Sequence, residues 1–485
     1  MNPSAPGAQS TLNASSPLPS GHGVDQNLAT GTRVSPPLSA HFAHRAPSPI
    51  RIASIRFAQR RDGTDAINVA IGNVSLPMHP AMIARLHELD APESPFSAGV
   101  VRYTSTVGED ETRRAFLNII ASSGLGTDGL HVQVTDGGSQ AMELMLCGCC
   151  GPTQTTPSPD GATAPSRPLM LIDAAYTNYT AFAQRLGRTT VSITRTLNDD
   201  GRFSLPSPQE IDLAMSRHQP GALVVIPYDN PTGHYYDRDT MRQLARLCVR
   251  HNCWMVSDEA YRELYYGEGP PTSIWSLTEQ EVPGLTGRRI RIESASKVWN
   301  ACGLRIGALV TDSEAFHAAA VAENTAGLCS RAIGQYVFGA IARVDHASLA
   351  SWYGQQRAYY RGMLDSFTSE MQQLLPGVIA SRPEAAIYST IDVRRLVDEK
   401  FDAMDFVMYC ATTGSVDLEG RRLTLLTSPM SGFYNVPDGA PNPGRTQMRV
   451  AYVESPERMR LVPRLFADLF RSYQAASHNA NGRGS

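Results

Sequence analysis

Long apolar runs are missing from this chain. No stretch approaches eighteen consecutive apolar residues, so no transmembrane helix and no membrane partner are expected. A strong charge of either sign is missing too: 43 Lys and Arg against 46 Asp and Glu leave a net charge of -3, which argues against a general nucleic-acid-binding surface. Acids are nearly absent from the first fifty residues, where Asp25 stands alone among Ser, Pro, Ala and Gly. With no apolar h-region this is not a secretory signal peptide. Such a composition cannot bury enough apolar surface to become ordered, so residues 1–50 are expected to be a disordered extension of a cytoplasmic protein. A Ser-rich, acid-poor export or organelle-targeting segment is the alternative, weakened by sparse arginine (Arg33 and Arg45). The eight cysteines are scattered, and Cys147-Gly148-Cys149-Cys150 has no matching His/Cys cluster nearby. No metal is therefore expected, and these residues read as buried thiols ending a helix in a reducing compartment.

What is present is 485 residues with 42% hydrophobic content, enough for a sizeable core and more than one domain. Strand-like runs recur, and several end in residues that a ligand could use. Ala66–Ile71 ends in Gly72, which reads equally as a ligand contact or an ordinary turn. Val132–Thr135 ends in Asp136-Gly137-Gly138-Ser139-Gln140 before a helix, Ala141–Leu146. Free N–H groups at Gly138, Ser139 and Gln140 would then meet the positive end of a helix dipole, a ready anion site. Pro152–Pro168 reads as a surface insertion. Leu169–Ile172 runs into Tyr176, and Ala222–Pro227 into the tight turn Asn230-Pro231-Thr232-Gly233. After a helix over Arg238–His251, Trp254–Ser257 ends in Asp258-Glu259-Ala260-Tyr261. Asp258 follows Asn230 by 28 residues, room for a helix and a strand, so both emerge at one sheet edge, where open α/β sheets bind ligands. A lone Asp after a strand also reads as a cap. Ser294-Ala295-Ser296-Lys297 is followed by Gly303-Leu304-Arg305-Ile306-Gly307. A lysine set for covalent chemistry beside an arginine set for a phosphate is what pyridoxal phosphate (PLP) requires. The long helical pattern Ala347–Leu375 and the alternating strand Gln447–Tyr452, which carries Arg449, complete an α/β body with shorter strands at its end.

The run from Ser294 to Gly307, with the Asn230 and Asp258 turns, resembles the class I/II aminotransferases, PLP enzymes of fold type I similar to aspartate aminotransferase. The resemblance implies a large domain with a mainly parallel sheet (residues 101–345) and a smaller α+β domain made from both chain ends (51–100 and 346–475), with 476–485 a flexible tail. It implies PLP held as a Schiff base by Lys297. Asp258 would pair with the pyridine nitrogen, Asn230 and Tyr261 with the phenolic oxygen, and Tyr176 would stack on the ring. Ser294, Arg305 and the Gly138–Gln140 turn would hold the phosphate. Tyr103 would reach the phosphate of a second subunit, which implies a homodimer with shared active sites. Arg449 would bind the substrate α-carboxylate, with Gly72 and Asn230 beside it. Arg331 lies in a loop that the family places near the site mouth; pointing inward it would select aspartate or glutamate, pointing outward it would be a surface arginine. The implied activity is ping-pong transfer of an amino group from an L-amino acid to a 2-oxo acid. A lyase, oxidase or decarboxylase of the same fold, or a non-catalytic binding protein, are the alternatives.

Overall fold

A computed structural model describes residues 36–43, 45–152, 166–437 and 439–481 of the chain. It divides into two compact units, Met1–Ala46 and Pro47–Ser485. The described part of the first unit holds one short helix, Ala40–Ala43, with exposed side chains.

The second unit is organised by a seven-stranded sheet. Its spatial order is His131–Thr135, Gly307–Thr311, Arg289–Ser294, Trp254–Asp258, Ala222–Val225, Leu169–Asp173 and Thr190–Thr194. Six of these strands share one direction, and Gly307–Thr311 runs against them. The apolar runs Leu169–Ile172 and Ala222–Val225 are continuous because both faces of the sheet are covered. Alternate residues enter different cores: Met170, Ile172, Leu223 and Val225 pack on one side, Leu169, Leu171, Ala222 and Val224 on the other. Parallel neighbours need crossovers, and helices supply them. In Arg238–Arg250 the buried positions Met241, Leu244, Ala245 and Cys248 fall on one helical stripe, and the Asp237 side chain caps the start by accepting from the Thr240 N–H. The common strand direction brings the ends of Leu169–Asp173, Ala222–Val225, Trp254–Asp258 and Arg289–Ser294 to one edge.

The early and late segments of this second unit meet beside that edge. Asp65–Asn68 pairs in parallel with Arg421–Leu426, which also pairs with Val416–Leu418. A four-stranded antiparallel sheet runs Ile379–Ala380, Tyr388–Asp392, Gln447–Ala451, Ser428–Pro429. The long helix His346–Leu374 precedes it in sequence. The mainly parallel sheet with these smaller sheets is the expected fold type I architecture; the finer domain bounds at 101 and 346 we keep as a proposal. Among the described residues no helix is long and apolar enough to cross a membrane.

Two expectations about segments change, and a third lies mostly outside the described residues. The disordered extension was drawn to residue 50, but the helix Pro49–Ala58 starts before that boundary, with Pro at its first position and Ala53 buried; residues 1–35 and 44 lie outside the described residues. The flexible tail drawn from 476 is shortened from its start, because the helix Val462–Asn481 runs through it, and 482–485 lie outside the described residues. The insertion expected over Pro152–Pro168 lies mostly outside them, at 153–165; its flanks, Gly151–Pro152 and Ser166–Arg167, pair as short antiparallel strands.

Candidate active site

The sheet edge opens into a cavity of about 890 Å3. Asp258, Ser294, Asn230 and Tyr176 reach it on or just past strand ends, and Lys297 follows three residues after Ser294. The helix Gly137–Cys149 starts four residues before the expected Ala141 and contributes Gly138 and Ser139 from its first turn. Gly72 and Arg449 arrive from the opposite side, from the two ends of the chain.

The Lys297 amine donates to the Gly72 carbonyl, so the two chain segments close on each other at the lysine. The Ser294 hydroxyl accepts from the Ser296 N–H at 3.0 Å, tightening the turn that presents Lys297. Asp258 is 4% exposed and, among the described residues, accepts hydrogen bonds only from neutral donors: the Tyr179 hydroxyl at 2.8 Å and the Ala260 N–H at 3.1 Å. Burial pushes its carboxyl up to about 6, against the pull of those two hydrogen bonds. Arg449, 4% exposed, lies between the rings of Tyr388 and Phe433 at 4.5 and 5.1 Å. It donates to Asn230 Oδ1 at 2.8 Å and to the Ala70 carbonyl at 2.7 Å, while its buried Nε has no partner among the described residues. Arg305 lies in the left-handed region at φ 55°, and its guanidinium donates to the Cys302 and Asp136 carbonyls at 3.1 and 3.3 Å. It packs flat on Gly137, where a Cβ would collide with it and where φ is +74°. A free helix N-terminus and an arginine thus face the same corner of the cavity.

Three expected site residues do not line this cavity. The Gln140 side chain turns away from the cavity: its Oε1 accepts from the Asp136 N–H at 2.7 Å and its Nε2 donates to Asn324 Oδ1 at 2.8 Å, fastening the helix start. Arg331, for which an inward and an outward orientation are both open from sequence, does not line the cavity. It is exposed, starts the helix Ala332–Gly339, and its backbone N–H donates to Asp136 Oδ1 at 3.2 Å. Tyr103 is 81% exposed and contributes nothing to its own chain's cavity. In turn, four residues not anticipated from sequence take part: Tyr179 on Asp258, Tyr388 and Phe433 around Arg449, and Arg51 at the mouth. Tyr179 lies three residues past Tyr176, a spacing that could have pointed to it.

A family sequence profile described as Aminotransferase class I and II matches residues 67–418. The chain belongs to this family. Among similar curated aminotransferases, the aspartate/prephenate aminotransferase of Thermus thermophilus is 24% identical over 347 residues, covering 71% of this chain and 81% of its own. A solved single mutant of the Thermus thermophilus aspartate aminotransferase superposes with a TM-score of 0.71 at 21% identity, over 90% of this chain and 100% of its own. Bna3p, a putative kynurenine aminotransferase of Saccharomyces cerevisiae, gives 0.72 at 18% identity, over 90% of this chain and 99% of its own. These likenesses establish the fold type I architecture.

Class I and II aminotransferases use PLP, and the cavity fits that group. The fit rests on Asp258, a buried carboxylate facing open space with no basic side chain in salt-bridge reach among the described residues, as a protonated ring nitrogen would require. The anion corner formed by Arg305, Gly138 and Ser139 suits a phosphate. The amine of Lys297 lies in the same cavity.

Proposed function

We propose that this aminotransferase-family enzyme moves an amino group from an L-amino acid to a 2-oxo acid in two ping-pong half-reactions, with Lys297 as the group that handles the substrate proton. One observation carries the reading: an amine, a buried carboxylate without a basic partner among the described residues, and a buried arginine with an unpaired Nε line a single cavity. Bound PLP supplies a protonated ring that accepts the electron pair left on the substrate Cα. Asp258 holds the proton on the ring nitrogen, since a carboxylate favours the charged form of its partner. Arg449 keeps three N–H groups beyond those given to Asn230 and Ala70, and a substrate α-carboxylate takes two of them in a fork. The Asn230 amide NH2 and the Tyr261 hydroxyl hold the phenolic oxygen. Tyr176 covers the ring. Once free, the Lys297 amine takes the Cα proton, having been delivered there by the Ser294 turn.

Two further assignments go with this. The enzyme is a homodimer in which Tyr103 completes the partner's phosphate site; the exposure of Val100, Val101 and Tyr103 in one run, at 49, 60 and 81%, supports a covered surface there. The first amino acid to test is aspartate, named in the relatives; Arg51 at the mouth makes no salt bridge among the described residues and is available to a second carboxylate.

The test mixes PLP-loaded protein with single L-amino acids and no oxo acid. One equivalent of 2-oxo acid per site, then arrest until an oxo acid is added, is the expected result. Continuous release of ammonia, carbon dioxide or peroxide would overturn transamination and place the chain with eliminating, decarboxylating or oxidising enzymes.

A further inference from the structure

Tyr388 has no part in the proposed reaction, yet it touches two groups that do, and a third, Gly72, that holds the Lys297 amine. It is 2% exposed and opens the strand Tyr388–Asp392, which pairs with the Arg449 strand. In that register Thr390 lies opposite Arg449 and Tyr388 opposite Ala451, so Tyr388 and Arg449 are diagonal neighbours on one face. The ring lies 4.5 Å from the guanidinium. Its hydroxyl meets the Tyr261 hydroxyl. It also closes on Gly72, where a Cβ would strike Tyr388 Oη and would lie 3.5 Å from the Lys297 amine.

We propose that Tyr388 is a positioning residue for both halves of the site: its hydroxyl donates to Tyr261, which aims the Tyr261 proton into the cavity, and its ring holds Arg449 at the height where a carboxylate is gripped. Two hydroxyls in contact share one proton between them, so only one keeps a proton for a ligand. Tyr261 stands three residues past Asp258, facing the same bound ring, and is the one that needs it. The ring supplies the second function through the negative face it presents to a guanidinium. Gly72 belongs to the same arrangement, since any side chain there would displace the hydroxyl. This rests on the proposal that PLP occupies the cavity.

The variants are Tyr388→Phe, which removes the hydroxyl alone, and Tyr388→Met, which removes the ring at similar bulk. In PLP-loaded protein, Tyr388→Phe should raise the pH midpoint of the visible absorption band by about half a unit or more, because a hydrogen bond into the phenolic oxygen favours its anionic form. KM for the amino acid should stay within about twofold. In a Tyr261→Phe background the same change should add no shift, since the effect passes through Tyr261. Tyr388→Met should also raise KM about tenfold or more. An unchanged midpoint in Tyr388→Phe, a shift that persists without the Tyr261 hydroxyl, or an unchanged KM in Tyr388→Met would each overturn the inference. Wild-type protein that takes up no PLP would instead overturn the cofactor reading, and this inference with it.

Discussion

On the floor of the cavity, Asp258, Asn230, Ser294 and Arg449 are each at most 6% exposed and are placed by strands of two different sheets. At its mouth, one ten-residue helix, Pro49–Ala58, presents Arg51, Ser54 and Ile55, and of that helix only Ala53 is buried. The floor is held from several directions: Asp258, Asn230 and Arg449 each make a hydrogen bond to a second segment, and Ser294 is fixed within its own turn by the Ser296 N–H. The rim depends on a single element that touches the core along one narrow line. Chemistry that tolerates little misplacement belongs on the first, and selection among related substrates on the second.

The largest effect should come from Lys297→Ala, with turnover falling by about a thousandfold or more while the fold stays intact by circular dichroism. Lys297 is one of only two lysines in the chain, so borohydride trapping of PLP and peptide mapping must choose between it and exposed Lys400. A label on Lys400, or undiminished turnover, would remove Lys297 from the chemistry. Next, Arg449→Lys should lower kcat/KM by about a hundredfold, roughly 2.7 kcal/mol, through lost bidentate grip. A loss no larger than that of a rim substitution would erase the distinction between floor and rim.

The third prediction concerns pH. In cofactor-free protein the Asp258 carboxyl titrates near 6, above its unfolded value, so the folded state binds more protons than the unfolded one between about pH 4 and 6. Stability should therefore fall as pH rises through that window, by up to about 3 kcal/mol relative to Asp258→Asn, and PLP should recover it above pH 6. Parallel stability curves for the two proteins would mean that Asp258 is not the strained group. At the rim, Arg51→Ala should raise KM for aspartate less than about fivefold without changing kcat. The smallest effect belongs to a pair of truncations. Removal through Ala46 should leave turnover within about twofold, whereas removal through Ala58 should raise KM. Equal outcomes for the two cuts would mean that the helix has no part in the mouth.

Much of the floor was legible from sequence because strand-end turns carry residues that the core has no use for: an Asp after an apolar run, an Asn before Pro, a lysine among serines. Tyr388 was not legible, since a tyrosine at the start of five buried residues reads as core until its hydroxyl is located. Gln140 enters the expected anion site only through its backbone N–H; that its side chain reaches back to the N-cap N–H and across to Asn324 is not legible from its place in the helix's first turn. Arg331 needed a direction that loop chemistry does not give. The helix at the mouth carried a proper start signal, Ser48 followed by Pro49, but it sat in a Ser- and Pro-rich stretch whose composition argued for disorder.

The closing of the two chain ends on one another also sets a schedule. Val69 accepts from the Ala451 N–H at 2.8 Å, and the Ala70 carbonyl waits for Arg449, 379 residues later. At ribosomal rates of about 5–20 residues per second, that wait lasts roughly 20–80 seconds. During it the Ala66–Ile71 segment has left the ribosome without its partners. Early-made strands alone cannot finish this cavity, because Arg449 is made 379 residues after the carbonyl it meets. A nascent chain stalled before Gln447 should accordingly be the most chaperone-dependent form of the protein.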